Sequence, residues 1–140
     1  MASWIPVEEQ SDFSLRNLPY GVFSTAGSTQ RMGVAIGEFV LDLQVLAQDH
    51  VFDDLDIDVS SLQQPTLNAY AALGKNVHGR VRKRLREILE KDTKLETVLR
   101  DNPDRQKRSL IPMTNVTMHL PMEIGDYTDF FVGLPHAQTV

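Results

Sequence analysis

The 140-residue chain contains no cysteine, and this absence removes several classes of site. Disulfide bonds, thiolate zinc sites, iron–sulfur clusters and cysteine nucleophiles are all excluded. Aromatic residues make up only 7% of the chain, and no apolar run is long enough to cross a bilayer. The first nine residues lack the basic region and apolar stretch of a signal peptide. We therefore expect a cytoplasmic protein with no membrane partner.

Basic residues are outnumbered by acidic ones, 14 to 19, which gives a formal net charge of −5. This balance disfavours binding to nucleic acid or to an anionic membrane as the main activity. Hydrophobic residues make up 41% and charged residues 24% of the chain, as is usual for a globular protein. The length gives room for one domain, or for one domain and part of a second.

Short strands joined by tight turns are predicted in the first part of the chain. The strands are predicted at residues 20–25, 31–36 and 39–43. Glycine-containing turns separate them, so the strands form a meander, which suits a small barrel better than a parallel sheet. Extended segments are predicted again after Ser109.

The clearest helix is predicted over residues 75–91, because five apolar residues repeat along one face at helical spacing. These residues are Val77, Val81, Leu85, Ile88 and Leu89. Shorter helical stretches are predicted near residues 43–47, 66–73 and 95–99, and the run Asn102-Pro103-Asp104 is predicted to end the last of them. The acidic stretch Asp49–Asp58 is predicted to be a surface loop. The predicted fold class is α+β, mainly β, with a small barrel and two or three helices.

Six basic side chains crowd the main predicted helix: Arg80, Arg82, Lys83, Arg84, Arg86 and Lys91. Such a face could bind an anion or a nucleic acid, but no aromatic residues interleave for base stacking. Because apolar residues occupy the opposite face of the helix, we interpret the basic side chains as its solvated outer face.

Two further groups of potential ligands are assigned structural roles. Three aspartates alternate like the start of an EF-hand loop, at Asp54, Asp56 and Asp58. The positions that need glycine and glutamate hold Val59 and Pro65, which excludes calcium binding by this loop. Three histidines are isolated from other histidines at ligand spacing, namely His50, His78 and His119.

The segment from Asp126 to His136 concentrates two carboxylates, a tyrosine, two phenylalanines and a histidine in 11 residues. Carboxylate oxygens are ligands for Mg²⁺ and Ca²⁺, but one or two carboxylates do not complete an all-protein site. His136 is the best candidate for a general base, because the unperturbed pKa of histidine lies near neutrality. Spacing alone leaves open whether this segment is a catalytic site.

The run Gly125-Asp126-Tyr127-Thr128-Asp129-Phe130, followed by His136-Ala137, resembles the active-site segment of the fumarylacetoacetase family. The resemblance covers essentially the whole chain. It includes the runs Asn17–Ser24, Gly33–Gly37, Gln64–Asn68 and Met118–Pro121, in the same order as in the family. The long run that begins at Asn17 and the run around Asp126, found in one chain, are specific to this family rather than generic motifs.

This resemblance implies a two-part organisation. Residues 1–121 would form a small N-terminal domain with an SH3-like barrel. Residues 122–140 would begin a β-rich catalytic domain and would leave it incomplete. The family hydrolyses the carbon–carbon bond of 4-fumarylacetoacetate to fumarate and acetoacetate, the last step of phenylalanine and tyrosine breakdown. The resemblance also implies a homodimer, formed mainly by the catalytic domain.

The resemblance also implies roles for three residues. Asp129 matches a metal-ligand carboxylate, His136 matches the catalytic histidine, and Phe131 lies where the family often has a substrate-binding tyrosine. The implied mechanism uses Ca²⁺ or Mg²⁺ to polarise the substrate and His136 to activate water. The remaining metal carboxylates of the family would lie beyond Val140, so we expect the isolated chain to be inactive. The alternatives are a stand-alone interaction module and a nucleic-acid binder that uses the basic helix.

Overall fold

A curled antiparallel sheet forms the centre of the computed structural model, which describes residues 2–130 and 132–139. Its strands are β1 (Tyr20–Ser24), β2 (Arg31–Ile36), β3 (Phe39–Asp42), β4 (Leu110–Pro112) and β5 (Thr117–His119). The order across the sheet is β4-β3-β2-β1-β5. The meander predicted for the first three strands is confirmed, since β1 pairs with β2 and β2 pairs with β3.

Two glycines allow the strands to pack and turn in this way. Gly33 on β2 lies under the side chains of Phe23 and Val40, and a Cβ atom there would lie 2.5 Å from Val40 Cγ1. Gly37 turns the chain between β2 and β3 with φ of 53°, a left-handed conformation that favours glycine. Both positions keep the sheet tightly curled.

Five α-helices occur in the described residues. They are α1 (Leu43–Gln48), α2 (Asn68–Ala72), α3 (Lys75–Leu89), α4 (Pro103–Ser109) and α5 (Leu134–Thr139). Short 3₁₀ helices span Asp53–Leu55, Val59–Gln63, Glu96–Val98 and Met113–Asn115. None of the helices in the described residues is long and apolar enough to cross a membrane. The predicted helix over residues 75–91 is confirmed as α3.

Helix α4 is the main difference from the sequence prediction. The run at Asn102 and Pro103 was expected to end a helix, but it begins one. The side chain of Asn102 accepts a hydrogen bond from the backbone N–H of Arg105 at 3.0 Å, and Pro103 occupies the first turn. The predicted helix near residues 95–99 is only a short 3₁₀ turn. Residues 2–121 therefore contain four α-helices rather than two or three.

A single apolar cluster joins the sheet to the helices. Its fully buried members include Met32, Val34, Ile36 and Leu41 from the sheet, Leu43 and Leu46 from α1, and Val81, Leu85, Ile88 and Leu89 from α3. The segment predicted as a surface loop also takes part, because the Phe52 side chain is completely buried in the cluster. That prediction was therefore wrong for Phe52 and its neighbour Val51. A lone aromatic residue in an acidic stretch has no periodic pattern that would indicate burial.

The junction between β3 and α1 is made by the buried side chain of Asp42. One carboxylate oxygen accepts hydrogen bonds from the backbone N–H groups of Gln44 and Val45, at 2.9 and 3.2 Å. The other accepts one from Arg31 Nε at 2.5 Å. Asp42 thus caps α1 and neutralises the arginine that begins β2, the central strand of the sheet.

A second carboxylate joins α1 to α4. Asp49, at the end of α1, accepts hydrogen bonds from Arg105 at 2.7 Å and from Arg108 at 2.6 and 3.1 Å. The hydrogen bond from Arg108 is the main cause that lowers the pKa of Asp49 to about 2. This pair of arginines holds α4 in place beside the sheet.

We predict that Asp49→Asn lowers the free energy of unfolding at pH 7 by about 1 kcal/mol. A neutral amide makes weaker hydrogen bonds to the two arginines than a carboxylate does, and the loss is modest because solvent screens the ion pairs of Asp49. The pKa of Asp49 is lower in the folded chain than its ordinary value of about 3.9. The stabilisation is therefore fully present above about pH 4 and is lost as the pH falls through about 2.

Urea unfolding at pH 7 and at pH 2 measures this difference between wild type and variant. Asp56→Asn is the matched control, because the Asp56 carboxylate is fully exposed and lies 3.8 Å from Arg80. An Asp49→Asn variant as stable as wild type at pH 7 would contradict the prediction.

Candidate functional site

The candidate site residues lie on an exposed segment outside the core. The site segment, defined here as residues 124–130 and 132–139, begins without helix or strand and ends in α5. Asp126, Asp129 and His136 are all exposed, and His136 is the third residue of α5. Phe131, the third residue assigned by the resemblance, lies outside the described residues. The side chains of Asp129 and His136 are therefore accessible to other groups.

The metal-binding capacity of this segment is limited. Within residues 2–130 and 132–139, no group of three or more histidine, aspartate or glutamate side chains could hold a metal ion. Ca²⁺ takes about six to eight oxygen ligands, and Mg²⁺ requires octahedral geometry. One exposed carboxylate at Asp129 cannot satisfy either ion. The described residues alone therefore do not fit a complete cation site.

The segment also presents several large apolar side chains to solvent. Each of the following is more than two-thirds exposed: Ile124, Tyr127, Phe130, Val132 and Leu134. Single exposed apolar residues are common, but a series of them along one segment indicates a surface that other protein groups cover.

Three hydrogen bonds attach the chain just before the site segment to the beginning of α2. The backbone N–H of Leu67 donates to the carbonyl of Pro121 at 2.8 Å. The side-chain amide of Asn68 donates to the Glu123 carbonyl at 3.0 Å and accepts from the Glu123 N–H at 2.9 Å. We call these bonds the Asn68 anchor. Sequence analysis did not identify Asn68, because its partner is 55 residues away and no local pattern indicates the contact.

The isolated histidines have structural partners, as their spacing predicted. His50 contacts the carboxylate of Asp53 at 2.7 Å, and His78 contacts the backbone carbonyl of Tyr70 at 2.8 Å. Both ring nitrogens of His119 are engaged. They contact Ser24 Oγ at 2.8 Å and the side-chain amide of Gln30 at 3.0 Å. His119 thus fixes the end of β5 against β1.

The basic face of α3 serves the fold more than the sequence suggested. Arg80 donates hydrogen bonds to the backbone carbonyls of Leu55 and Asp56, and Arg82 donates to the carbonyl of Arg16. Arg80 is exposed and Arg82 is partly exposed, as a solvated outer face predicts, and both also bind neighbouring loops to the helix. An arginine whose donors are used in this way has fewer left for an external anion.

Arg84 makes the most extensive of these contacts. It donates to the Val51 carbonyl at 2.6 Å and forms a bidentate pair with the Asp54 carboxylate at 2.6 and 2.9 Å. The hydrogen bond from Arg84 lowers the pKa of Asp54. Asp54 is thus used to hold the 49–58 segment, and Asp58 accepts a hydrogen bond from the N–H of Ser60.

An apolar groove of about 360 Å³ opens on the sheet, and the residues that line it in the described part of the chain do not belong to the site segment. Its walls include Phe13, Tyr20, Phe23, Val40, Met113 and Met118. Their surfaces are mainly hydrocarbon and sulfur, so the groove suits an apolar group better than a charged one.

Comparison with known proteins gives a consistent result. The protein-family model described as "Fumarylacetoacetase N-terminal" matches residues 16–121. The chain is 44% identical over 144 residues to a fumarylacetoacetase of Aspergillus fumigatus, covering 100% of this chain and 33% of that protein. It is 42% identical over 139 residues to the fumarylacetoacetase of Homo sapiens, covering 99% of this chain and 32% of that protein. The chain spans about a third of the length of these relatives.

We predict that Arg84→Ala lowers the free energy of unfolding by about 1–2 kcal/mol, because the buried Val51 carbonyl loses its donor. Lys83→Ala is the matched control on the same helix, since the Lys83 side chain is 78% exposed and lies 3.8 Å from Glu87. Urea unfolding of the two variants measures the difference. Equal stability of the two variants would contradict a structural role for Arg84.

Proposed function

The chain belongs to the fumarylacetoacetase family, and we propose that it supplies the N-terminal domain and the first site residues of an enzyme that hydrolyses 4-fumarylacetoacetate to fumarate and acetoacetate. The observation that carries this proposal is the 44% identity to an enzyme of that name over the whole chain, site segment included. Because the chain spans about a third of that relative, the activity is assigned to a larger assembly than these residues.

Residues 1–121 are proposed as the small domain, with an SH3-like barrel, and residues 122–140 as the start of the catalytic domain. The curled antiparallel sheet supports a barrel-like domain. The exposed apolar side chains of the site segment support its packing against further polypeptide. The enzyme is proposed to act in the cytoplasm as a homodimer.

His136 is proposed as the general base. A neutral imidazole nitrogen can accept a proton from water near neutral pH, and the His136 side chain is exposed on a short helix. Such a base raises rates by about 10²–10⁴-fold. The hydroxide formed when water gives its proton to His136 can attack a carbonyl carbon of the substrate. The carbon–carbon bond then breaks to give fumarate and the enolate of acetoacetate, which takes up a proton to give acetoacetate.

Asp129 is proposed as one ligand of a Ca²⁺ or Mg²⁺ ion. The described residues do not complete such a site, so the other ligands would come from polypeptide outside them. Phe131 is proposed to contact the substrate through its ring alone. Without a tyrosine hydroxyl, that contact lacks one hydrogen bond, a difference of about 1 kcal/mol.

A stand-alone interaction module is the second candidate function. The apolar groove on the sheet favours it, because a cleft of about 360 Å³ lined by hydrocarbon can receive an apolar side chain of a partner. This module would need neither His136 nor Asp129, so the two candidates differ in the effect of changing those residues.

We predict that a chimera restores turnover. In this chimera, residues 1–140 replace the matching third of the Aspergillus fumigatus relative. His136→Ala in the chimera should lower kcat by at least about 100-fold, because the base is lost. Gln138→Ala, on the same exposed helix, should leave kcat unchanged. Substrate consumption measures both. An inactive chimera beside an active parent enzyme, or near-normal kcat for His136→Ala, would contradict the proposal.

The isolated chain is predicted to bind neither Ca²⁺ nor Mg²⁺ more tightly than about 1 mM, since Asp129 supplies at most two of the required oxygens. Titration calorimetry with each chloride salt measures this, with Asp129→Ala as the comparison. A saturable submillimolar site that disappears in Asp129→Ala would show that the chain carries a complete site and would contradict the proposed division of ligands.

A further inference from the structure

We infer that Asn68 is a positioning residue: it fixes the point at which the segment carrying Asp129 and His136 leaves the N-terminal domain. The inference rests on the proposed function, because that function gives those two side chains their role. Asn68 itself is exposed and lies on α2, before the site segment in sequence and beside its start in space.

In the Asn68 anchor, the side-chain amide of Asn68 pairs with the backbone N–H and carbonyl of Glu123. A side-chain amide has a carbonyl acceptor and an N–H donor, like a backbone peptide group. Asn68 uses both with the same residue, donating to the Glu123 carbonyl at 3.0 Å and accepting from the Glu123 N–H at 2.9 Å. The bond from Leu67 to Pro121 at 2.8 Å continues the pairing. These contacts fix the direction of the chain as well as its position.

The helix that carries Asn68 is itself held firmly. Tyr70, two residues further on, is buried, and its ring centroid lies 5.5 Å from that of Tyr20 on β1. The same ring lies 4.7 Å from His78 on α3. The anchor therefore connects the site segment to both the sheet and the main helix.

The anchor shortens the free part of the chain. Glu123 is six residues before Asp129, whereas Pro121, which the backbone N–H of Leu67 still holds when the Asn68 side chain is removed, is eight residues before it. The volume explored by a flexible tether grows with the three-halves power of its length, so release to Pro121 would dilute Asp129 at its target about 1.5-fold. Loss of the fixed chain direction adds to this effect.

The first test is amide hydrogen exchange in the 140-residue chain. Asn68→Ala should speed exchange at Glu123 by about five-fold, the factor for loss of an ordinary hydrogen bond. Gln64→Ala is the matched control, because it also loses an exposed amide-to-carbonyl bond, but to Ser60 within its own turn. Both variants should keep the wild-type thermal midpoint. Unchanged exchange at Glu123 in Asn68→Ala would overturn the inference.

The second test measures turnover in the chimera that contains residues 1–140. Asn68→Ala should lower kcat at least about 1.5-fold with little change in KM, since a misplaced base affects the reaction more than binding. Asn68→Asp retains an acceptor for the Glu123 N–H and should recover part of kcat. Gln64→Ala should match wild type.

The outcomes separate the inference from the function it rests on. If the unsubstituted chimera hydrolyses substrate and Asn68→Ala has the same kcat, the positioning role is wrong and the proposed function stands. If the unsubstituted chimera is inactive beside an active parent, the proposed function fails and the positioning role fails with it. Faster exchange of the Glu123 N–H in Asn68→Ala, combined with reduced kcat, supports the inference.

Discussion

The structure depends on a single buried cluster, in which apolar side chains of β2, β3, α1 and α3 pack together. Leu41, Leu46 and Leu85 are among its fully buried members. Burial of such side chains is worth about 1.5–3 kcal/mol each, so this cluster exceeds any single ion pair in the chain. Several elements outside the cluster, such as α4, are held by bonds to elements within it.

The charged side chains act mainly at the borders of this core. Asp42 joins β3 to α1, Asp49 joins α1 to α4, and Arg84 joins α3 to the 49–58 segment. In each case, a charged group bonds to backbone groups or to an opposite charge on another element. The basic face of α3 therefore has a structural explanation that does not require nucleic acid. The site segment differs, because its carboxylates and apolar side chains are exposed.

Local patterns in the sequence predicted the elements that local forces determine. Strand β2 and helix α3 followed from turn residues and from apolar spacing, and both were found where expected. Helix α4 was missed because Asn102 and Pro103 can end one helix or begin another. Which of the two occurs depends on the contacts of the residues that follow them, such as Arg105. The burial of Phe52 and the bond between Asn68 and Glu123 depend on distant residues, which no local pattern reveals. Asp129 and His136 were identified by family resemblance, since their spacing alone was ambiguous.

The central claim is that the site segment provides part of a cation-dependent centre completed by other polypeptide. Paramagnetic broadening in the chimera tests it most directly, with Mn²⁺ in place of Mg²⁺ and ¹⁵N-histidine confined to residues 1–140. The four labelled rings are those of His50, His78, His119 and His136. The account predicts strong broadening of the His136 signals at stoichiometric Mn²⁺, with the other three rings largely unaffected. Equal, weak broadening of all four would contradict it.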